Sequence, residues 1–241
     1  MYIFGKNPVL ELLKANPQRV EKLFIAKKTH LPEPLLELLG NVSFPVIHVE
    51  KERLDRMSGN KNHQGILAVV REIEFTDPSE LLSELIEKKG ILVALDEVQD
   101  PQNLGNILRS AEALGAIGVV VPALRSSGFT EGAVKASAGA VFHLKLATVA
   151  NLKNFLMRAK DLGIWVYSLE VGGIDIYKAT YNFPIILVAG GEDKGVGKSI
   201  LALSDAVITI PMVGRINSLN VASSVAIALS WISEVRGKAN G

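Results

Sequence analysis

The stretch Ile91–Val121, ILVALDEVQDPQNLGNILRSAEALGAIGVVV, decides the fold. The apolar run Ile91 to Leu95 leads into a polar turn, a helical pattern spans Leu104 to Leu114, and Ile117 to Val121 forms a second apolar run. Strands that are apolar on both faces need cover on both sides, and a helix joining two of them makes them parallel. Downstream, the same rhythm recurs at Trp165–Leu169, Ile185–Ala189 and Val207–Ile210, and it ends in a helix from about Asn220 to Arg236. The sequence therefore predicts an α/β fold with a parallel sheet covered on both sides. Ligands of such sheets bind beyond the carboxyl ends of the strands, so the segments that follow the strands are where function is sought.

Upstream, Arg71–Lys89 (REIEFTDPSELLSELIEKK) contains Thr76-Asp77-Pro78-Ser79, a turn and helix-start signature. It divides the chain into a first unit at 1–72, a linker at 73–89 and a second unit at 90–241. Within the first unit, Asn7-Pro8 precedes a helical pattern through Val9, Leu10, Leu12 and Leu13. Lys22–Ala26, Val46–Val49 and Gly65–Val70 read as strands, with a helical run at Pro34–Leu39. This is a small α/β unit near the lower limit of what folds without staples.

Composition narrows the function classes. With 48% hydrophobic and 21% charged residues, the 241-residue chain is globular, neither disordered nor fibrous. It has no cysteine, which excludes disulfides, thiolate zinc sites and cysteine nucleophiles. His30, His48, His63 and His143 show no ligand spacing, so no metal is expected. The opening MYIFGKNP lacks a leader pattern and no run reaches the roughly 18–20 apolar residues of a membrane span, so the expectation is a soluble, cytoplasmic protein. The net charge of +1 conceals an uneven distribution: residues 1–71 carry 11 basic against 7 acidic side chains, and residues 72–90 carry 2 against 6. A mildly basic first unit suits a polyanion such as RNA, and such an offset is also common on ordinary surfaces.

Three segments that follow strands carry the chemistry. In Asp96–Ser110, Asp100-Pro101 makes a turn and Asn103 can cap the helix that follows. On that helix Ile107, Ala111 and Leu114 share a face, whereas Arg109 lies about 200° from Ile107 and faces either solvent, paired with Glu112, or a site. In Gly190–Ser199 (GGEDKGVGKS) the spacing from Gly191 to Gly197 is wrong for a P-loop, and Glu192 and Asp193 would repel phosphate. A loop so rich in glycine lets backbone approach a ligand, with Glu192 presenting a carboxylate, or it is simply a tight turn. In the third segment Pro211 ends a strand, Gly214 turns the chain, and Ser218 or Asn220 caps a helix of small residues. No GxGxxG follows Ile91–Leu95, which argues against a dinucleotide fold.

Taken jointly, Asp100-Pro101-x-Asn103-x-Gly105-x-Ile107-x-Arg109, Gly190-x-Glu192-x-x-Gly195, and Ile210-Pro211-Met212-x-Gly214 with Ser218-Leu219-Asn220-Val221 resemble the three motifs of the SpoU, or TrmH, family of RNA 2′-O-ribose methyltransferases. Lys135–Ala140 (KASAGA) is similar to the family's SxGA segment. Tyr2–Val9 and His63-Gln64-Gly65 resemble the substrate-binding extension of the RlmB-like subgroup, which acts on a guanosine of large-subunit (23S) ribosomal RNA.

The resemblance implies a SPOUT fold with a carboxyl-terminal trefoil knot, an exception to the near absence of knots in proteins. It implies a homodimer and S-adenosylmethionine as cofactor, held by Gly190, Gly191, Ile210, Met212, Ser218 and Leu219. Catalysis falls to Arg109, Asn103, Glu192, Ser218 and Asn220, with Arg109 as proton acceptor or, more consistent with an arginine pKa above about 12, as the group that orients the hydroxyl. Two further readings share these residues: a transfer RNA substrate, and an RNA-binding protein of the same fold without catalysis.

Overall fold

The computed structural model describes residues 1–59, 62–123 and 129–240; Gly241, the end of the second unit predicted above, lies outside them. The first unit runs β1 (Tyr2–Phe4), α1 (Lys6–Ala15), β2 (Val20–Ala26), α2 (Glu33–Leu39), β3 (Val46–Val49), α3 (Lys51–Ser58) and β4 (Ile66–Val70). Its four-stranded sheet has the order β1-β4-β2-β3, with β2 and β3 parallel and the other pairs antiparallel. The short β1 and the helix α3 lack a distinct sequence pattern and were not expected.

Next comes α4 (Pro78–Glu87), started by Asp77, whose carboxylate accepts from the Ser79 amide at 2.7 Å. The second unit continues with β5 (Ile91–Asp96), α5 (Pro101–Ala113), β6 (Gly118–Pro122), α6 (Glu131–Ala136), β7 (Lys145–Val149), α7 (Leu152–Asp161), β8 (Trp165–Asp175), β9 (Ile185–Gly190), α8 (Lys198–Leu201), β10 (Ala206–Thr209) and α9 (Val221–Asn240). The six-stranded sheet is parallel throughout, in the order β10-β8-β9-β5-β6-β7.

The apolar runs of β5 and β9 split cleanly between the two faces. Ile91, Val93, Leu95, Ile185 and Leu187 join α5, α9 and the first unit in one core, whereas Leu92, Ala94, Ile186 and Val188 join α4, α7 and α8 in the other. The period of two places alternate residues on opposite faces, so a strand with no polar position needs both layers of helices. The 73–89 segment expected as a linker thus supplies α4, whose Leu81, Leu82 and Leu85 are buried against the sheet. The edge strand β7 and the helix α7 were not expected. The run KLATV mixes polar with apolar residues because an edge strand is buried less completely than a central one.

The first core is continuous between the two units, since Val9, Leu12 and Leu13 of α1 share it with Val134 and Val141. Glu11 meets His143 at 2.9 Å, and the Asn16 amide donates to the Phe142 carbonyl at 2.8 Å. A Cβ on Gly139, a residue with φ of +97°, would stand 2.5 Å from Glu11 Cβ, so α1 rests directly on this glycine. Gly105 lets α6 press equally closely on α5, where a Cβ would come 2.3 Å from that of Ala136.

Candidate active site

The site lies beyond the carboxyl ends of β5, β8, β9 and β10. Gly190 closes β9, and the chain then turns back on itself: the Gly191 amide donates to the Asp96 carbonyl at 2.9 Å and the Gly195 amide to the Gly191 carbonyl at 2.9 Å. Two carboxylates brace the far side of the turn. Asp96 Oδ2 accepts from the Gly197 amide at 2.8 Å, and Glu170 Oε2 accepts from the Val196 amide at 2.9 Å. A Cβ on Gly190 would lie 2.0 Å from the carbonyl carbon of Gly195, and one on Gly191 would lie 2.5 Å from the Glu97 carbonyl oxygen. These glycines are therefore required by close passage of the chain across itself.

This turn presents Glu192 to helix α5. The Asn103 side-chain amide donates to Glu192 Oε1, and the Asn220 amide donates to Asn103 Oδ1 at 2.9 Å. Asn220 Oδ1 in turn accepts from the backbone amides of Ala222 at 2.9 Å and Ser223 at 3.3 Å, capping α9. One side chain from each of the three motifs thus enters a single directional relay. Because Asn220 donates to its oxygen, Asn103 can offer only N–H to Glu192, which fixes that amide's orientation. Asn103 is buried and does not cap α5 as expected; Asp100 does, accepting from the Gln102 amide at 2.9 Å. Pro101 fits the first helical position, where a missing N–H costs nothing, so the helix starts earlier and Asn103 lies within its first turn. Of the two caps considered for α9, the structure selects Asn220.

Next to the relay opens a cleft of about 570 Å³. Gly190, Gly191, Ile210, Met212, Ser218 and Leu219 line it, as do Glu192 and Asn220. Residues distant in sequence are thereby gathered around one cavity. Asn103 touches the cleft through its two partners. Arg109 stands apart: it is exposed, does not line the cleft, and has no hydrogen bond or ion pair among the described residues. The pairing with Glu112 does not form. The helical offset that takes Arg109 away from Ile107 also takes it away from Asn103.

Sequence reading missed Asp96, Leu169, Glu170, Val171, Thr209 and Ser224, which brace or line the same region. The signal for Glu170 was present: it directly follows Trp165–Leu169, and the rule that directed attention to the ends of the other strands applies equally there.

Comparisons with known proteins identify the family. Residues 90–230 match the model of the SpoU rRNA methylase family, and residues 2–76 match the model described as RNA 2′-O ribose methyltransferase substrate binding. A protein named as a TrmH-family tRNA/rRNA methyltransferase, YacO of Bacillus subtilis, is 36% identical over 95% of this chain and 92% of its own length. An uncharacterized tRNA/rRNA methyltransferase of Mycobacterium ulcerans is 35% identical over 97% of this chain and 77% of its own. Among solved structures, a TrmH-family protein of Porphyromonas gingivalis is 28% identical with a TM-score of 0.77, covering 95% of this chain and 88% of that one. The fold also matches the SpoU methyltransferase AviRb of Streptomyces viridochromogenes, solved with AdoMet, with a TM-score of 0.82 at 24% identity over 99% of this chain and 91% of that one. Among the described residues no helix is long and apolar enough to cross a membrane, and no group of side chains is arranged to hold a metal ion. On the family match over residues 90–230 and the near full-length likeness to YacO, this chain belongs to the SpoU rRNA methylase family of RNA methyltransferases.

Proposed function

We propose that this chain methylates the 2′-hydroxyl of a ribose in RNA, with S-adenosylmethionine held in the 570 Å³ cleft. The observation that carries the reading is the convergence of the three motifs on one cavity through the Asn220–Asn103–Glu192 relay. The cavity suits the cofactor in size, within the roughly 300–1,000 Å³ of small-ligand clefts. It suits it in chemistry too: Leu169, Ala189, Ile210 and Leu219 offer apolar cover for a purine, and the carboxylates of Glu170, Glu192 and Asp193 outnumber the ammonium of Lys194 on the wall, which favours a cation. When bound, the cofactor supplies a methyl group activated by a sulfonium.

The chain's own residues perform the remaining work. Gly190, Gly191, Ile210, Met212, Ser218 and Leu219 hold the cofactor. Asn103, locked by Asn220, orients Glu192, and Glu192 with Ser218 positions the ribose by hydrogen bonding. Arg109 orients the attacking hydroxyl and stabilises the alkoxide as it forms; a guanidinium with a pKa above about 12 is poorly suited to keep the proton, which passes on to water or an RNA phosphate.

Arg109 lies outside the cleft of its own chain, which supports a homodimer in which copies complete each other's sites. Exposed apolar side chains at the cleft and beside it, Val171, Ile174, Val213, Ile216 and Leu219, give that dimer a surface to bury. The strand order β10-β8-β9-β5 and the return of α9 onto α5 support the carboxyl-terminal trefoil knot. We further infer that the units at 1–72 and 90–241 divide the task into RNA binding and transfer, joined by 73–89, and that the substrate is a guanosine of 23S ribosomal RNA, methylated in the cytoplasm. The basic excess of the first unit supports its part in RNA binding.

The test is incubation of the purified protein with methyl-labelled cofactor and total RNA from cells lacking it, followed by mapping of the labelled ribose. Label on a 23S guanosine is the expected result, label on transfer RNA would select that substrate instead, and absence of label with retained RNA binding would support the non-catalytic reading.

A further inference from the structure

We propose that Glu170 is a ligand-binding residue of the cleft, whose carboxylate accepts hydrogen bonds from the vicinal ribose hydroxyls of a bound nucleoside. The proposal rests on the reading of the cleft as a cofactor site and adds a residue that none of the three motifs contains.

Strand geometry aims this side chain. Tyr167 and Ser168 pair with Ala206 and Val207, but the next residue of β10, Ile208, pairs with Ile174, so residues 169–173 bow away from β10. The bulge is built on glycine: Gly172 has φ of +85°, and a Cβ on Gly173 would come 2.5 Å from the Val207 carbonyl oxygen. Bulges re-aim side chains beside active sites, and this one turns Glu170 out of the sheet and into the cleft.

The carboxylate is then fixed from two sides. Oε2 accepts from the Val196 amide at 2.9 Å and Oε1 from the Val171 amide at 3.0 Å. Gly195 opposes it so closely that a Cβ there would lie 2.2 Å from Oε2. Glu170 is half-buried and has no cationic partner among the described residues. A carboxylate offers about four acceptor positions, of which two are used here, so an anion without a counter-ion keeps acceptor capacity at the wall of the cleft. Two adjacent hydroxyls match the spacing of two carboxylate oxygens, and they are neutral donors that need no further compensation.

Calorimetry with S-adenosylhomocysteine, 5′-methylthioadenosine and the 2′-deoxy forms of both tests the idea. Methylthioadenosine keeps the ribose diol and lacks the amino-acid ammonium, the other donor of the cofactor that a carboxylate could bind. Glu170→Gln keeps the size of the side chain and an oxygen for Val196. It is expected to weaken S-adenosylhomocysteine and methylthioadenosine alike by about tenfold, as for loss of a hydrogen bond to a charged group, while the 2′-deoxy ligands, left with one hydroxyl for the carboxylate, lose distinctly less. Gly195→Ala, which displaces the carboxylate, should reproduce that diol-dependent loss. Unchanged affinity for both diol ligands overturns the proposal. So does a loss confined to S-adenosylhomocysteine, which would make the ammonium the partner, and so does an equal loss for the 2′-deoxy ligands, which would leave Glu170 only a brace for the loop. If wild-type protein binds none of these ligands, the cofactor reading itself fails and this inference with it.

Discussion

Two stretches of helix α5, less than two turns apart, are finished to different degrees. Around Asn103 the polar groups have partners within the chain: Asn220 behind it, Glu192 in front, and a glycine turn braced by Asp96 and Glu170. Around Arg109 the surface is exposed and the guanidinium is without a partner among the described residues. On the proposed function, the contrast means that one chain prebuilds the half of the site that holds a small ligand, while the half that receives the RNA is completed on assembly. Preorganised groups act without reorganising at the moment of reaction, which favours building the first half in advance. The sharpest way to break the comparison is Arg109→Ala. On the proposed function it should lower the methylation rate by about 10²–10³-fold, the scale for losing one oxyanion-stabilising donor. S-adenosylhomocysteine affinity, measured by calorimetry, should stay as in wild type, and a parallel loss of affinity would place Arg109 in the cofactor half after all.

Gly190→Val attacks the prebuilt half. Its Cβ would overlap Gly195, so the turn must open. Overpacking of this kind costs about 1–3 kcal/mol, and cofactor affinity should fall by about 10–100-fold. Asn103→Ala is the milder probe of the same half. It removes a donor to Glu192 and an acceptor for Asn220 at once, and it should cost about 1–2 kcal/mol in thermal or denaturant unfolding, together with a lower methylation rate. A change in rate without a change in stability would mean that water replaces both hydrogen bonds at no cost.

The same contrast explains what the sequence revealed. Periodicity showed the central strands β5, β6 and β9 because burial on both faces leaves no polar position in their runs. The edge strand β7 escaped, since a half-covered strand mixes polar and apolar residues and resembles a loop. In the site, residues at the ends of three strands were legible from spacing and resemblance, and all six expected cofactor residues line the cleft. The place of Glu170 at the end of a strand was legible, but its entry into the cleft was not, because that depends on a register shift between β8 and β10 that no local pattern encodes. The capping role of Asp100 in place of Asn103 had a signal in Pro101, which fits the first helical position and so puts the cap just before it, leaving Asn103 to donate to Glu192.

A third surface, the contact between the first unit and the second, sharpens the comparison with the smallest effect. Here Glu11 of α1 meets His143 at 2.9 Å and Lys14 at 2.9 Å, so this junction, like the cleft, is completed within the chain. Partial burial pushes the Glu11 carboxyl up, but the hydrogen bonds from Lys14 and His143 outweigh it and leave the group below its ordinary value of 4.5. A folded-state value below the unfolded one means that the ionised carboxylate stabilises the fold above about pH 4.5, and that this contribution is lost as pH falls through the lowered value. Glu11→Gln should therefore cost under about 1 kcal/mol at neutral pH, as expected for a solvent-screened pair. The gap between wild-type and variant melting temperatures should close in acid. Methylation by the variant should match wild type, because α1 also rests on Gly139 and shares the apolar core with Val134 and Val141. A gap that persists at low pH would show that shape, not charge, makes Glu11 matter at this junction. A loss of methylation at unchanged stability would show that α1 steers the α5 helix through Gly139 and Gly105, so that the catalytic half begins in the first unit.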